Sequence, residues 1–511
     1  MARGFVIRKN QYFDSVFLMG VSKRIAGVKG VRQNAVLMGS EANKKLLADI
    51  GVEDARIDAA QPNDLIVAVI ADRQETVDEV LANLDAYLQA GVASSTAARP
   101  HSFEEGLAQK PQANLAVISV PGEYAAQEAR KALRAGLHVF LFSDNVTIDD
   151  ELALKRLAAE KGLLLMGPDC GTSLIGGVGI GFANAVRRGP VGAIGAAGTG
   201  LQEFTSQVHH AGSGISHAVG TGSHDLSDHI GGLTTLMALD ALEADPQTKV
   251  IALISKPPGA QTLARLAERL RRCTKPVVGC FLGAEQEIDA GPNFRRARLI
   301  DEAVELAVTQ VTGRPHSAAA AFAPEQMAAG ERDAAARDPR QRYVRGLFAG
   351  GTFCYQAQQV FRDAGLEVHS NTPLDPRFRL ADPDHSVGHT FVDMGDDRYT
   401  VGRPHPMIDG TVRRQRILAE GRDPETAVLL LDFVLGYNAS PDPVGELLGA
   451  IVEAKQWAQE HEGALTVVAS VCGTDGDPQG LDRQMRALEE NGVIVFRSSA
   501  QAARFASALV E

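Results

Sequence analysis

One stretch restricts this chain more than any other: GPVGAIGAAGTGLQEFTSQVHHAG, residues 189–212. Residues 191–194 form an apolar run of the kind that becomes a buried strand. The run breaks into Ala197-Gly198-Thr199-Gly200. A helical pattern follows, with Leu201, Phe204 and Val208 on one face and Gly212 just past its end. A strand that turns on glycine straight into a helix presents bare N–H groups at the positive end of that helix, which can hold phosphate or carboxylate without a lysine. The stretch recurs as GLFAGGTFCYQAQQVFRDAG, residues 346–365, at a constant offset of 153. Gly198-Thr199 falls on Gly351-Thr352, and Ala211-Gly212 falls on Ala364-Gly365. Agreement of both the turn and the helix stop at one offset points to an internal duplication.

A chain of 511 residues is too long for one core, and three or four domains are expected. A hydrophobic content of 45% with 51 glycines fits an α/β protein. The net charge of −12 argues against a nucleic-acid surface, so anionic ligands must be held by local backbone dipoles and a few basic side chains. The five cysteines are scattered with no CxxC, which fits a reduced, cytoplasmic chain and neither a zinc site nor a disulfide framework. The opening MARGFVIRKNQYFDS lacks an apolar signal-peptide core, and no run reaches the length of a membrane span.

Taken in order, residues 1–105 alternate short strands and helices as a small α/β domain. Arg8, Lys9 and Tyr12 could meet a ligand there, although solvated surface charge is the simpler reading. Residues 112–188 read as a Rossmann-like domain. Its strands end at Pro121-Gly122, at Ser143-Asp144 and at Gly167-Pro168-Asp169-Cys170-Gly171-Thr172, and crossovers of this kind imply a parallel sheet with ligands at the carboxyl ends. Cys170 reads as a small buried residue. Residues 189–312 form a first flavodoxin-like domain with strand exits at Gly198–Gly200, Gly222-Ser223-His224-Asp225, Lys256-Pro257-Pro258-Gly259 and Leu282-Gly283. Of His209, His210, His217, His224 and His229, only His224 stands at a strand exit. Residues 313–340, rich in Ala, Pro and charge, read as a linker. Residues 341–511 form a second flavodoxin-like domain with exits at Gly350-Gly351-Thr352, Gly395-Asp396 and Gly473-Thr474. The acidic loop carrying Asp475 and Asp477 reads as an Asx turn rather than a cation site, and no metal is expected. The fold class is therefore α/β, in several doubly wound domains.

The motifs GPDCGT at 167–172, the glycine turn at 194–200 and ADPQTKVIALISKPPG at 244–259 resemble the α subunit of succinyl-CoA synthetase. AGGT, DMGDD and the closing VIVFRSSAQAARFASALV resemble the CoA-ligase domain of its β subunit. The whole order, with RKNQYFDSVFLM at the start and GIGFANAVRRG at 179–189, is similar to the FdrA family. The resemblance implies two flavodoxin-like domains paired about a pseudo-twofold axis, companion subunits and an oligomer. It also implies a CoA-type loop at Pro121, Gly122, Ser143, Pro168 and Asp169. FdrA membership implies an acyl-CoA-synthetase-like protein and, for at least one member, a subunit of oxamate carbamoyltransferase in allantoin breakdown. Two departures stand out. The synthetases' phosphorylated histidine falls in FLGAEQEIDAGP, residues 281–292, which contains none. Residues 313–340 leave no room for an ATP-grasp module.

The expected function is accordingly a carbamoyltransferase subunit that moves the carbamoyl group of carbamoyl phosphate to an oxamate-like acceptor. Carbamoyl phosphate already carries its leaving group, so no cofactor is required. Gly198, Thr199, Gly200, Gly222, Ser223, Gly350, Gly351, Thr352, Gly395, Asp396, Gly473 and Thr474 would line the anion sites, with His224 and Lys256 as catalytic candidates. The alternatives are an ADP-forming acyl-CoA synthetase relative that uses CoA and Mg2+ with a separate ATP-grasp partner, or a non-catalytic metabolite-binding subunit.

Overall fold

The computed structural model describes residues 2–11, 13, 15–40, 43–44, 47–48, 50–89, 100, 102–196, 198–284, 288–317, 321–400 and 404–510. Tyr12, Ala197 of the first glycine turn and 285–287 of the 281–292 loop lie outside the described residues. The chain divides into a smaller unit, Met1–Gln112, and a larger one, Ala113–Tyr399 with His405–Glu511.

The smaller unit is built on a three-stranded antiparallel sheet of β1 (Ala2–Arg8), β2 (Val31–Met38) and β3 (Leu65–Ala71), in the order β1-β3-β2. The central strand, LIVAVIA, is buried along its whole length. Its alternate residues serve different cores. Leu65, Val67 and Val69 meet Leu18, Val21, Val77 and Val80 on one face, while Ile66, Ala68 and Ile70 meet Leu47, Val52 and Ile57 on the other. Burial on both faces is why the strand is a continuous apolar run rather than an alternating one.

The larger unit holds three sheets. The first is parallel: β4 (Leu115–Ile118), β5 (His138–Leu141) and β6 (Leu165–Met166), joined by the helices Gly122–Arg134 and Ile148–Glu160. A hairpin, β7 (Thr172–Ile175) and β8 (Val178–Gly181), then joins the sheet of the first repeat, which adds β9 (Arg188–Gly195), β10 (Ile215–Gly220), β11 (Val250–Ser255), β12 (Val277–Phe281) and β13 (Phe294–Ala297). Its order is β13-β12-β11-β9-β10-β7-β8. The third sheet comprises β14 (Tyr343–Phe348), β15 (Val368–Ser370), β16 (His389–Asp393), β17 (Thr426–Val434), β18 (Thr466–Cys472) and β19 (Ile494–Phe496), in the order β15-β16-β14-β17-β18-β19. In both large sheets the strand before the glycine hinge lies between its neighbours, so strand order reverses beside it. That is where open α/β sheets place ligands.

The helices after the two hinges, Gly198–His210 and Gly351–Asp363, pack into one core, with Leu201, Phe204 and Val208 joining Phe353, Ala357 and Phe361. At the matching positions, Gln356 donates to Glu203 at 3.3 Å, 153 residues away. Residues 313–340, read above as a linker, include the helix Pro324–Ala335. Met327 and Ala329 pack on the core, and Phe322 meets Phe496 and Phe505 edge-on.

Candidate active site at the strand ends

The exit loops of the first parallel sheet are drawn together by close backbone contact. Ser143 Oγ accepts the Val120 N–H at 3.0 Å, which ties the β5 exit to the β4 exit. Pro121 caps the Gly122–Arg134 helix, and a Cβ at Gly122 would lie 2.3 Å from the Asp144 carbonyl oxygen. Beyond β6, Gly167 and Pro168 are joined by a cis peptide. Gly222, with φ of +84°, lies so close that a Cβ there would be 2.2 Å from Pro168 O. The same turn ends at Thr172, whose Oγ1 stands 3.2 Å from the place of a Cβ on Gly198. Residues 167–172 thus connect the loop carrying Ser223 and His224 to the first glycine hinge.

The two hinges abut one another, and they differ. A Cβ on Gly200 would meet Thr352 Cγ2 at 2.9 Å, and one on Gly350 would meet Thr199 Oγ1 at 2.8 Å. Thr352 is buried by this contact. At the second hinge one of the amides expected to face a substrate anion is already engaged: Gly350 N–H donates to the Asp432 carboxylate at 2.9 Å, beside Ala349 N–H at 2.8 Å. Asp432 is fully buried, and its countercharge is Arg413 at 2.8 Å. A second carboxylate, Asp393, crowds Gly351, where a Cβ would come within 2.4 Å of it. At the first hinge, among the described residues, no side chain accepts from the Gly198, Thr199 or Gly200 amides. Thr172 Oγ1 beside them is buried and has no hydrogen-bond partner among the described residues. A buried orphan hydroxyl next to a helix N-terminus suits the oxygen of a phosphate or carboxylate.

The surroundings of these exit loops are acidic. Asp169 is exposed at the β6 exit. Partial desolvation by the neighbouring loops pushes its carboxyl up to about 6, with Ser223, Asp144 and Asp397 nearby. Asp393 is likewise pushed up by burial to about 6, against the pull of Lys256. Burial and the neighbouring Asp396 and Asp144 raise Asp397 as well. Lys256, at the β11 exit, lies over the Tyr355 ring at 4.4 Å. His405 borders Gly395, where a Cβ would be 2.9 Å from Nε2, and burial lowers its imidazole to about 4. His224 is oriented by residues the sequence reading missed. Its Nδ1 lies 3.3 Å from Glu151, a buried carboxylate that also pairs with Lys155 at 3.0 Å. Lys155, equally buried, bonds Asp225 at 2.7 Å and the Thr221 carbonyl at 2.8 Å. The only sequence signal was the Glu151–Lys155 spacing of four on one helix.

Two expected anion-site residues serve elsewhere. Thr474 is fully buried. Its N–H donates to Asp477 and its hydroxyl to Ala185 O, while Gly473 O accepts from His210. Asp477 also takes the Asn184 amide and the Ala185 N–H at 2.7 Å each. The acidic loop is thus a clamp on the 183–187 strap, which itself corresponds to part of GIGFANAVRRG. Cys170 is buried, and its thiol is pushed up to about 12 by that burial.

Against known proteins, the CoA-ligase family matches residues 347–509. The AllF heavy metal-associated domain matches residues 1–103. The "Uncharacterized protein YahF" of Escherichia coli (strain K12) is 44% identical over 503 residues, covering 98% of this chain and 97% of YahF. The chain belongs to the YahF family. This family is FdrA-like and succinyl-CoA-synthetase-like. The succinate–CoA ligase α subunit of Methanothermobacter thermautotrophicus is 28% identical over 187 residues, and the match covers 36% of this chain and 62% of that subunit. A sulfoacetate-CoA ligase subunit of Bilophila wadsworthia is 24% identical over 192 residues, covering 36% and 63%. An acetyl-coenzyme A synthetase structure from Ca. Korarchaeum cryptofilum covers 78% of this chain and is itself 82% covered, at 18% identity and a TM-score of 0.29, too low to transfer any residue role.

These matches correct the expected chemistry. The transferase reading is overturned: the CoA-ligase family match and the α-subunit relatives are ligases, and none of them supports carbamoyl phosphate, oxamate or allantoin breakdown. The metal implied by the name of the N-terminal match does not fit the residues present. The first cysteine of the chain is Cys170, His101 lies outside the described residues, and no group of three potential ligands occurs among those described. No described helix is long and apolar enough to cross a membrane.

Proposed function

We propose that the protein is an acyl-CoA-synthetase-like subunit that binds CoA at the carboxyl edge of the β4-β5-β6 sheet and acts with a separate ATP-grasp subunit. The observation that carries this is positional. The CoA-ligase match covers residues 347–509, and within it the β16 exit at Gly395–Asp397 lies close enough for Asp397 to interact electrostatically with Asp144, Asp169 and His224. Pro121, Gly122, Ser143, Pro168 and Asp169 would hold CoA, and the Gly198–Gly200 amides with Thr172 would take the phosphate of an activated acid. Lys256, which interacts electrostatically with Asp393, would offset part of the local negative charge. Activation of the acid by ATP falls to the partner, since residues 313–340, 28 in all, are too few for an ATP-grasp module.

Calorimetric titration of the full chain with CoA tests the reading, with desulfo-CoA as a control for thiol contacts. Binding in the micromolar range, and ATP-dependent thioester formation once the companion ATP-grasp subunit is added, are expected. Absence of CoA binding at millimolar concentration would overturn the reading.

A further inference from the structure

The histidine that carries phosphate in succinyl-CoA synthetases has no counterpart in residues 281–292, yet the crevice contains a histidine of its own. His224 stands on the loop after β10, where Gly222 rests against Pro168. Its side chain is half exposed, so one ring edge is open to a ligand, while Nδ1 faces Glu151 Oε2 at 3.3 Å. Glu151 is held from behind by Lys155, which Asp225 and the Thr221 carbonyl fix in turn. A carboxylate on one ring nitrogen sets the tautomer and leaves Nε2 as the basic atom. The other crevice histidine, His405, is unsuited to that role because its Nδ1 accepts the Met407 N–H and burial opposes its protonation.

We infer that His224, oriented by Glu151, is the general base that accepts the thiol proton of CoA as its sulfur attacks an acyl phosphate in this crevice. The inference rests on the CoA reading above. In the step, the S–H proton passes to Nε2 and the sulfur–carbonyl bond forms. The carbonyl–oxygen bond to phosphate breaks, and phosphate departs with the bonding pair. Nothing is oxidised or reduced, and the acyl phosphate is the only co-reactant. His224 is the catalytic residue; Glu151 is a positioning residue. The charged groups facing the ring are Glu151 and Lys155 on one helix, Asp169 after β6 and Asp397 after β16. The Glu151 carboxylate beside Nδ1 raises the imidazole above its ordinary value, against the opposing pull of burial.

The partial reaction needs no ATP and no partner: the full chain is mixed with CoA and acetyl or succinyl phosphate, and thioester is measured. General-base contributions run to about 10²–10⁴-fold, so His224→Ala should lose that much kcat with little change in calorimetric CoA affinity. Free imidazole should restore part of the rate in proportion to its concentration. Glu151→Gln should move the acidic limb of the pH–rate profile to lower pH, which a merely structural defect would not do. Three results would overturn the inference while CoA still binds: no thioester from wild type, a His224→Ala rate within a few-fold of wild type, or an acidic limb that Glu151→Gln leaves in place. Failure of CoA to bind wild type would instead remove the reading on which the inference stands.

Discussion

Replacing Arg413 by methionine isolates the charge that closes the second hinge. Asp432 is fully buried and accepts the Ala349 and Gly350 N–H groups, and Arg413 is its countercharge at 2.8 Å. The same guanidinium nitrogen also donates to the Leu347 and Asp432 carbonyls. Methionine keeps much of the stem volume and removes the charge, which leaves a carboxylate buried without its cation. Breaking a buried pair from one side costs about 3–5 kcal/mol. The larger unit has roughly 390 residues, so at about 2.1 cal/mol/K per residue its unfolding entropy is roughly 0.8 kcal/mol/K, and the loss becomes about 4–6 °C in Tm.

The assay is thermal unfolding of Arg413→Met, Asp432→Asn and the double variant, with hydrogen exchange read on residues 346–353. The double variant should recover most of the loss, because a neutral amide still accepts both N–H groups and no lone charge remains. Burial already raises Asp432, and removing Arg413 raises it further. A raised acid stabilises the fold at low pH and loses that contribution as pH climbs, so the deficit should shrink on acidification. A single-variant loss below about 1 kcal/mol, or a double variant no better than Arg413→Met, would refute the assignment of Asp432 as the internal occupant of this hinge.

Three further outcomes follow from other parts of the structure. Glu203, buried among Ser499, Gln207 and Gln356, is pushed up by burial to about 7. Stability should therefore fall between pH 4.5 and 7, and Glu203→Gln should flatten that slope in denaturant titrations across pH. Gly200→Ala should cost about 1–3 kcal/mol by driving Cβ into Thr352 Cγ2, and Thr352→Ser, which removes that methyl, should recover most of it in the same unfolding assay. The full chain should retain no stoichiometric zinc or copper after dialysis when metal is measured by mass spectrometry, since the segment matched by the heavy metal-associated domain has no cysteine.

The sequence exposed the parts of this molecule that local chemistry specifies. Residues 189–212 and 346–365 do form strand, hinge and helix, and the exits at Pro121, Ser143, Pro168 and Ser223 do sit at strand ends, because apolar runs and glycine turns are local signals. Contacts between distant segments were hidden. LLLDFV reads as a buried strand with one stray aspartate. Only the fold brings that aspartate under AGGT and sets Arg413 beside it. Thr474 ends a strand as Ser223 does, but the 183–187 strap covers it. The β7–β8 hairpin was missed although its Gly176-Gly177 turn is a recognised hairpin signal. The choice of carbamoyl phosphate failed for a plainer reason. Backbone amides at a helix N-terminus accept any small anion, so a glycine hinge alone does not distinguish one phosphate ester from another.

The acidic crevice turns that lack of selectivity into a measurable constraint. An anion entering it meets Asp144, Asp169, Asp393, Asp396 and Asp397, against Lys256 and His224. Two of these carboxyls are already raised to about 6, so at pH 7 roughly a tenth of each is protonated. A bound anion raises them further, and by linkage the complex must then take up protons. A rise of one to two pH units on each would add roughly one proton in total at pH 7. Calorimetry of CoA binding in buffers of different ionisation enthalpy measures that number, and affinity should be higher at pH 6 than at pH 8. Asp169→Asn should lower the uptake; any proton taken up by the ligand's own phosphates is common to both proteins and cancels. Uptake identical in wild type and Asp169→Asn would place the anion away from this carboxylate, and with it the CoA site away from the β6 exit.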